Sequence, residues 1–255
     1  MKFPYGISDF AKIIQGGYWY VDRTDYLRLI EEGGEQLIFL RPRRFGKSLI
    51  LSMLENYYDL AKADQFEKLF GHLKIGANPT PKHNQYFVMK WDFSRVEPSQ
   101  TLQHLRQAIH RHLNDRIQSF AIHYETWLPQ PIQIYPDYAL SSFESLLTAV
   151  QQTPYKLYLL IDEYDNFANQ VLMGSGTAHP QCYQDLVSGE GLLKTVFSAV
   201  KAASAGRGLD KVFITGVSPL LMSDMTSGYN VAKNIYLDPK FHDLCGFTEA
   251  EIVTV

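Results

Sequence analysis

Leu37-Ile-Phe-Leu-Arg-Pro-Arg-Arg-Phe-Gly-Lys-Ser48 decides how the rest of this chain is read. An apolar run, Leu37 to Leu40, breaks at a turn containing Pro and Arg, and Gly46-Lys47-Ser48 follows. Leu49 to Tyr58 then has the composition of a helix. Strand, loop and helix in this order make a phosphate-binding P-loop. Such a loop aims backbone N–H groups and the open end of its helix at one anionic site. The candidate nucleotide-binding residues are Arg43, Arg44, Phe45, Gly46, Lys47, Ser48 and Leu49. Lys47 is placed to neutralise β- and γ-phosphates, and the Ser48 hydroxyl to ligate Mg²⁺. The pattern G-x-x-x-x-G-K-[ST] fails at its first position, where Arg41 stands. A glycine there permits φ > 0, so Arg41 predicts a different loop path or a compensating contact. The competing reading is a Lys-Ser helix start after an ordinary strand.

A second segment favours the phosphate reading. Lys156-Leu-Tyr-Leu-Leu-Ile-Asp-Glu-Tyr-Asp165 is a short apolar run that ends in acids. Leu157 to Ile161 has the pattern of a strand buried on both faces of a parallel sheet. Asp162 and Glu163 then fall at the strand end where open α/β sheets bind ligands. In this Walker B pattern Asp162 holds Mg²⁺, and Glu163 orients or deprotonates the attacking water. The alternative is a strand ending in a solvated acidic turn. Lys211-Val-Phe-Ile-Thr-Gly-Val-Ser-Pro219 is a further apolar strand with small polar residues at its tip. Thr215 is the first candidate there to touch the γ-phosphate or the water, and Ser218 the second. An ordinary strand exit, with Gly216 and Pro219 as turn residues, is the alternative.

These residues carry a resemblance. The chain resembles the bacterial AAA-ATPase-like proteins, whose ATPase domain is often fused to a PD-(D/E)XK nuclease-like domain. The matching stretches are Tyr20-Val-Asp-Arg-Thr24, Arg41-Pro-Arg-Arg-Phe-Gly-Lys-Ser48 and Ile161-Asp-Glu-Tyr-Asp165, with Phe213-Ile-Thr-Gly-Val-Ser218 and Cys245-Gly-Phe-Thr-Glu249. They span nearly the whole chain in the expected order, and Arg41 in place of the first glycine is normal for the family. The resemblance implies ATP and Mg²⁺ as cofactors and hydrolysis of ATP, with Glu163, Lys47 and Thr215 as the catalytic set. It implies Ser48 and Asp162 as the metal ligands. It allows a homo-oligomer, and nucleic acid as a partner through a nuclease-like domain missing from this chain. The nuclease signature itself is not met: Pro136-Asp137 is followed by Glu144, but Leu146 stands where a Lys is required.

Bulk properties agree with this reading. A chain of 255 residues, 45% hydrophobic and 20% charged, suits a soluble globular protein with a substantial core. A net charge of −3 gives no general attraction to nucleic acid or anionic membrane. No apolar run reaches the roughly 18 residues of a membrane span, and the N-terminus lacks a signal-peptide core. Cys182 and Cys245 have no metal-ligand spacing. A cytoplasmic, bacterial protein with no membrane partner is expected.

The alternation of elements predicts an α/β fold: a P-loop NTPase of AAA type, three layers α/β/α around a mostly parallel sheet. Residues 1–35 are expected to form a helical lead-in, with Ser8 and Thr24 as helix caps. Residues 36–220 form the ATPase core, and 221–255 start a C-terminal subdomain that is cut off. There Thr248 and Glu251 have capping-box spacing. Tyr86 to Phe93 reads as a strand. Leu102, Leu105, Ile109, Leu113, Ile117 and Phe120 make one apolar helical stripe. Asp22 and Arg23 are either adenine-side residues or a surface pair, and Asp92 and Arg95 a structural ion pair or phosphate neighbours. His104, His110, His112 and His123 lack metal spacing. Met173-Gly-Ser-Gly-Thr177 reads as a mobile loop. Arg207, between two glycines, is either an arginine finger or a turn residue. The alternatives from other classes are an ATP-binding switch with little turnover and a nucleic-acid-binding module using Arg41, Arg43, Arg44 and Lys47.

Overall fold

The computed structural model describes residues 2–97, 101–166, 191–219 and 229–253. Its centre is a five-stranded, all-parallel sheet in the order β2-β3-β4-β1-β5. The strands are β1 Gln36–Leu40, β2 Tyr86–Asp92, β3 Lys156–Asp162, β4 Leu209–Gly216 and β5 Lys233–Asn234. In register, β2 lies beside β3 from Tyr86↔Lys156 to Asp92↔Asp162, and β4 beside β1 from Val212↔Gln36 to Gly216↔Leu40. All four long strands therefore finish at one edge.

Side chains alternate faces along each strand. Phe87, Met89, Trp91, Leu157, Leu159, Ile161, Val212 and Ile214 enter one core. Against it lie α5 (Leu102–His123), α6 (Ala139–Gln151) and α7 (Leu192–Ser204). Leu37, Phe39, Tyr86, Val88, Tyr158, Leu160 and Phe213 enter the other. That face is covered by α1 (Phe10–Gln15), α2 (Tyr26–Gly33), α3 (Lys47–Tyr58) and α4 (Phe66–Phe70). This is the α/β/α sandwich the sequence predicts. The apolar stripe of α5 is buried as its spacing requires, at Leu105, Ile109, Leu113, Ile117 and Phe120.

Two expected caps differ. Asp9, not Ser8, caps α1, its Oδ1 accepting from Lys12 N at 3.0 Å. Two neighbouring polar residues compete there, and only the second has a register that reaches the N3 amide. Thr24 does not cap α2, which follows Asp25. Its buried hydroxyl donates to Asp22 Oδ1 and accepts from Ile75 N, which ties the lead-in to the 71–78 loop.

Of residues 221–255, read from sequence as the start of a C-terminal subdomain, the described part, 229–253, returns to the sheet. β5 adds beside β1, and Ile235 N donates to Ile38 O at 3.0 Å. Ile235, Phe241 and Leu244 are buried in the α3-side core. Three large apolar side chains gain more from that burial than from water, and β1 gains cover along an otherwise open edge. A last helix, α8 (Glu249–Val253), starts at the expected capping box: Thr248 N donates to Glu251 Oε2, and Glu251 N to Thr248 Oγ1. The 173–177 stretch and Cys182 lie outside the described residues. Among the described residues, no helix is long and apolar enough to cross a membrane.

Candidate nucleotide site

Strand parity brings the polar residues together. Tyr158 and Leu160 face α3, so Asp162, two residues further, faces α3 as well. The same step takes Phe213 to Thr215 on β4 and Val88 to Lys90 on β2. Thr215, Asp162 and Lys90 thus converge beneath the first turn of α3, which Lys47 and Ser48 open.

The loop from Arg41 to Gly46 connects β1 to that turn. Gly46 takes a left-handed conformation with φ 94, as does Arg44 with φ 67. Arg41 takes no positive φ, so the residue at the missing glycine is under no backbone strain. Its guanidinium turns away from the helix end. It donates to the carbonyls of Leu40 and Tyr236 at 3.0 and 2.9 Å, with longer bonds to Phe241 O and His242 O, and it lies over the Phe39 ring. This is the compensating contact.

Among the described residues, the backbone N–H groups of Arg43 through Ser48 have no hydrogen-bond acceptor; the first engaged amides are Leu49 and Ile50, both donating to Gly46 O. Six successive donors at a helix N-terminus make an anion cradle. Lys47 is 6% exposed and folds back onto its own loop, Nζ donating to Arg41 O at 2.9 Å and Pro42 O at 3.0 Å. Burial lowers its pKa, and the charges of Asp162, Glu163 and Asp165 oppose the shift.

Asp162 is buried and held on both oxygens. Thr215, fully buried, donates its hydroxyl to Oδ1 at 2.6 Å, and Lys90 Nζ stands 3.7 Å from Oδ2. The Thr215 hydroxyl is thus engaged by the Asp162 carboxylate. Glu163 comes off the strand in a left-handed conformation with φ 48, uncommon for a residue with a Cβ. Its carboxyl is pushed above the usual range, by burial first and then by the charges of Asp162 and Asp92. Asp165 accepts from Val217 N and Ser218 N, and this fixes the exit of β4. The close approach needs Gly216, where a Cβ would lie 2.4 Å from the Tyr164 ring. Ser218, the second candidate, contributes its backbone N–H to that turn. Arg43 reaches Asn166 Oδ1 at 3.4 Å, while the side chains of Arg44 and Phe45 are exposed.

Other sequence candidates stand apart. Arg207 precedes β4, at the opposite edge of the sheet from Asp162, and pairs with Glu144 at 3.3 Å. A finger role within its own chain does not hold. Asp92 and Arg95 form the structural pair, at 3.2 Å. Arg23 bonds to Glu251 through both guanidinium ends and to Gly246 O. His110 accepts from Ala139 N, His123 meets Asp59, and His112 is buried with its pKa lowered by that burial and by Arg116.

The residues fit the phosphates of a nucleotide, because the unfilled amides and Lys47 match that ligand's charge. Among the described residues, no group of three His, Cys, Asp or Glu makes a metal cage. Mg²⁺ does not need one, since it binds through one or two protein ligands together with substrate phosphates. Lys90 and Asn166 were missed in the sequence. Parity with Asp162 is the signal that finds Lys90; Asn166 carries none.

Comparison with known proteins agrees. The family model described as predicted AAA-ATPase matches residues 4–226. An uncharacterised protein from the vnfD 5′ region of Azotobacter chroococcum mcd 1 is 29% identical over 260 residues, covering 100% of this chain. The chain spans 44% of that relative's length. No solved structure matches.

Proposed function

The chain belongs to the predicted AAA-ATPase family, and on that premise we propose that it binds Mg-ATP and hydrolyses it to ADP and phosphate, coupling the cycle to a conformational change. The observation that carries this reading is the row of unfilled amides from Arg43 to Ser48, opposite Asp162 and Glu163. Those amides bind the phosphate oxygens. Phe45 and Leu49 complete the loop and its first turn, and Arg43 and Arg44 add positive charge at its rim. Lys47 leaves the carbonyls of Arg41 and Pro42 and neutralises the β- and γ-phosphates. Ser48 and Asp162 would hold Mg²⁺, which when bound draws charge from the phosphate oxygens. Thr215 keeps the Asp162 carboxylate oriented. Glu163 accepts the proton of the attacking water, a task that its raised pKa suits.

Turnover is slow in the isolated chain on this reading, because Lys47 is tied to its own loop and Lys90 competes for Asp162. A switch that binds ATP and turns over little is the second reading, favoured by the same two contacts.

Calorimetric titration of Mg-ATP into the parent chain and into Lys47→Ala tests the binding step. The parent should bind, and Lys47→Ala should bind at least tenfold more weakly. Equal affinity would remove the loop from the nucleotide site.

A further inference from the structure

Four aromatic side chains stand in or near water at the phosphate loop, and three of them, Phe3, Trp19 and Phe247, have no part in the catalytic scheme. Phe247 is 61% exposed, Phe3 53% and Phe45 46%. Trp19, half-buried, joins two of them. Its ring stacks on Phe247 at 5.4 Å with an interplanar angle of 24°, and Phe3 meets its edge at 5.6 Å. Single exposed rings are ordinary, but a contiguous aromatic patch is a mark of ligand or partner contact.

The patch is continuous with the loop. A Cβ on Gly246 would lie 3.4 Å from Phe45 Cδ1, and one on Gly46 would lie 3.8 Å from Cys245 Cβ. The backbone of 245–247 therefore crosses the rim of the anion cradle and delivers Phe247 beside it. Phe247 is also fixed from both sides. Arg23 holds the Gly246 carbonyl, and the Thr248–Glu251 capping box begins directly after Phe247. Gly246 takes φ 83, a conformation that suits glycine and sets the turn which presents the ring. An exposed ring held in this way is a preformed surface rather than a loose chain end.

We propose that Phe247, backed by Trp19, is the stacking platform for the nucleobase of the nucleotide whose phosphates occupy the 43–48 loop. The proposal rests on the nucleotide reading above. A ligand anchored by its phosphates carries its base one ribose away from them, on a short covalent tether. The patch is apolar, aromatic and next to the cradle, which suits the flat face of a purine. The carboxylate of Glu251, on the helix that follows Phe247, is paired with Arg23, so its charge is compensated beside the ring. Recognition by stacking discriminates nucleotides from inorganic polyphosphate strongly, and among purines weakly.

The test compares Mg-ATP with Mg-tripolyphosphate, which shares the phosphates and lacks the base. Binding of both is measured by calorimetry on the parent chain, on Phe247→Ala and on Trp19→Ala, with folding checked by circular dichroism. Phe247 is largely exposed, so its variant is expected to fold even if Trp19→Ala does not. The parent should bind ATP more tightly than tripolyphosphate. In Phe247→Ala the ATP dissociation constant should rise about five-fold or more, the lower end of what one base–aromatic stack contributes, with tripolyphosphate unchanged. If both ligands weaken together, or neither changes, the platform is overturned while the phosphate loop stands. If the parent binds tripolyphosphate as tightly as ATP, the base has no site. If the parent binds neither ligand, the nucleotide reading itself falls and takes the platform with it.

Discussion

Replacing Thr215 with Val removes one hydroxyl and keeps the branched shape. The cost follows from what that hydroxyl meets. Thr215 is fully buried, Asp162 nearly so, and their hydrogen bond is 2.6 Å long. A hydrogen bond to a charged group contributes about 1.5–3 kcal/mol, and a buried acceptor left without its donor loses solvation as well. Lys90, 3.7 Å from the other Asp162 oxygen, keeps part of the compensation. The expected loss is therefore about 2 kcal/mol, a factor of roughly 30 in the folding equilibrium. For a chain of this size that lowers the thermal midpoint by about 4–8 °C. Urea denaturation reads the loss directly, since Thr215→Val should lower the midpoint and leave the slope unchanged. Thr215→Ser keeps the donor and should recover most of the difference. A double-mutant cycle with Asp162→Ala should show a coupling of about 1 kcal/mol or more. If Thr215→Val lies within about 0.5 kcal/mol of the parent, the bond does not position Asp162, and the argument from burial is wrong.

Two further variants have expected outcomes. Glu163→Gln should reduce ATP turnover by about 10²-fold or more and leave Mg-ATP affinity within a few-fold, measured by phosphate release and calorimetry. Because burial raises the Glu163 pKa, the charged form is penalised in the folded state. The penalty is present above the folded pKa and gone below the unfolded one, so Glu163→Gln should match or exceed the parent's thermal midpoint at neutral pH. That advantage should vanish as the pH falls through the carboxylate range. Arg41→Ala should free the 236–242 segment from the loop, costing about 1–3 kcal/mol. Trypsin cleavage after Lys240 should speed up several-fold, and an unchanged rate would mean that these contacts do not hold the segment.

Most of the architecture was legible because it depends on local patterns. Apolar runs ending in polar residues located β1, β3 and β4, and a 3-and-4 spacing located α5. The sequence put Asp162 and Thr215 at strand ends; that both face α3 follows from the alternation of side chains once the α3 side of each strand is known. What stayed hidden depends on contacts between distant parts of the chain. Arg41 meets carbonyls 195 to 201 residues away, and Thr215 bonds across 53 residues. No local signal records such partners. β5 was missed because two residues, Lys233 and Asn234, have no strand-like composition and pair only because β1 is there. The cap at Asp9 was misplaced by one residue for a local reason, since Ser8 and Asp9 are both good caps.

Lys47 rests on the carbonyls of its own loop. An anion that recruits Lys47 must therefore draw it off those two carbonyls. Giving up two hydrogen bonds from an ammonium sets an entry threshold, and a weakly charged anion returns too little to meet it. A polyphosphate brings several charges to one point and does.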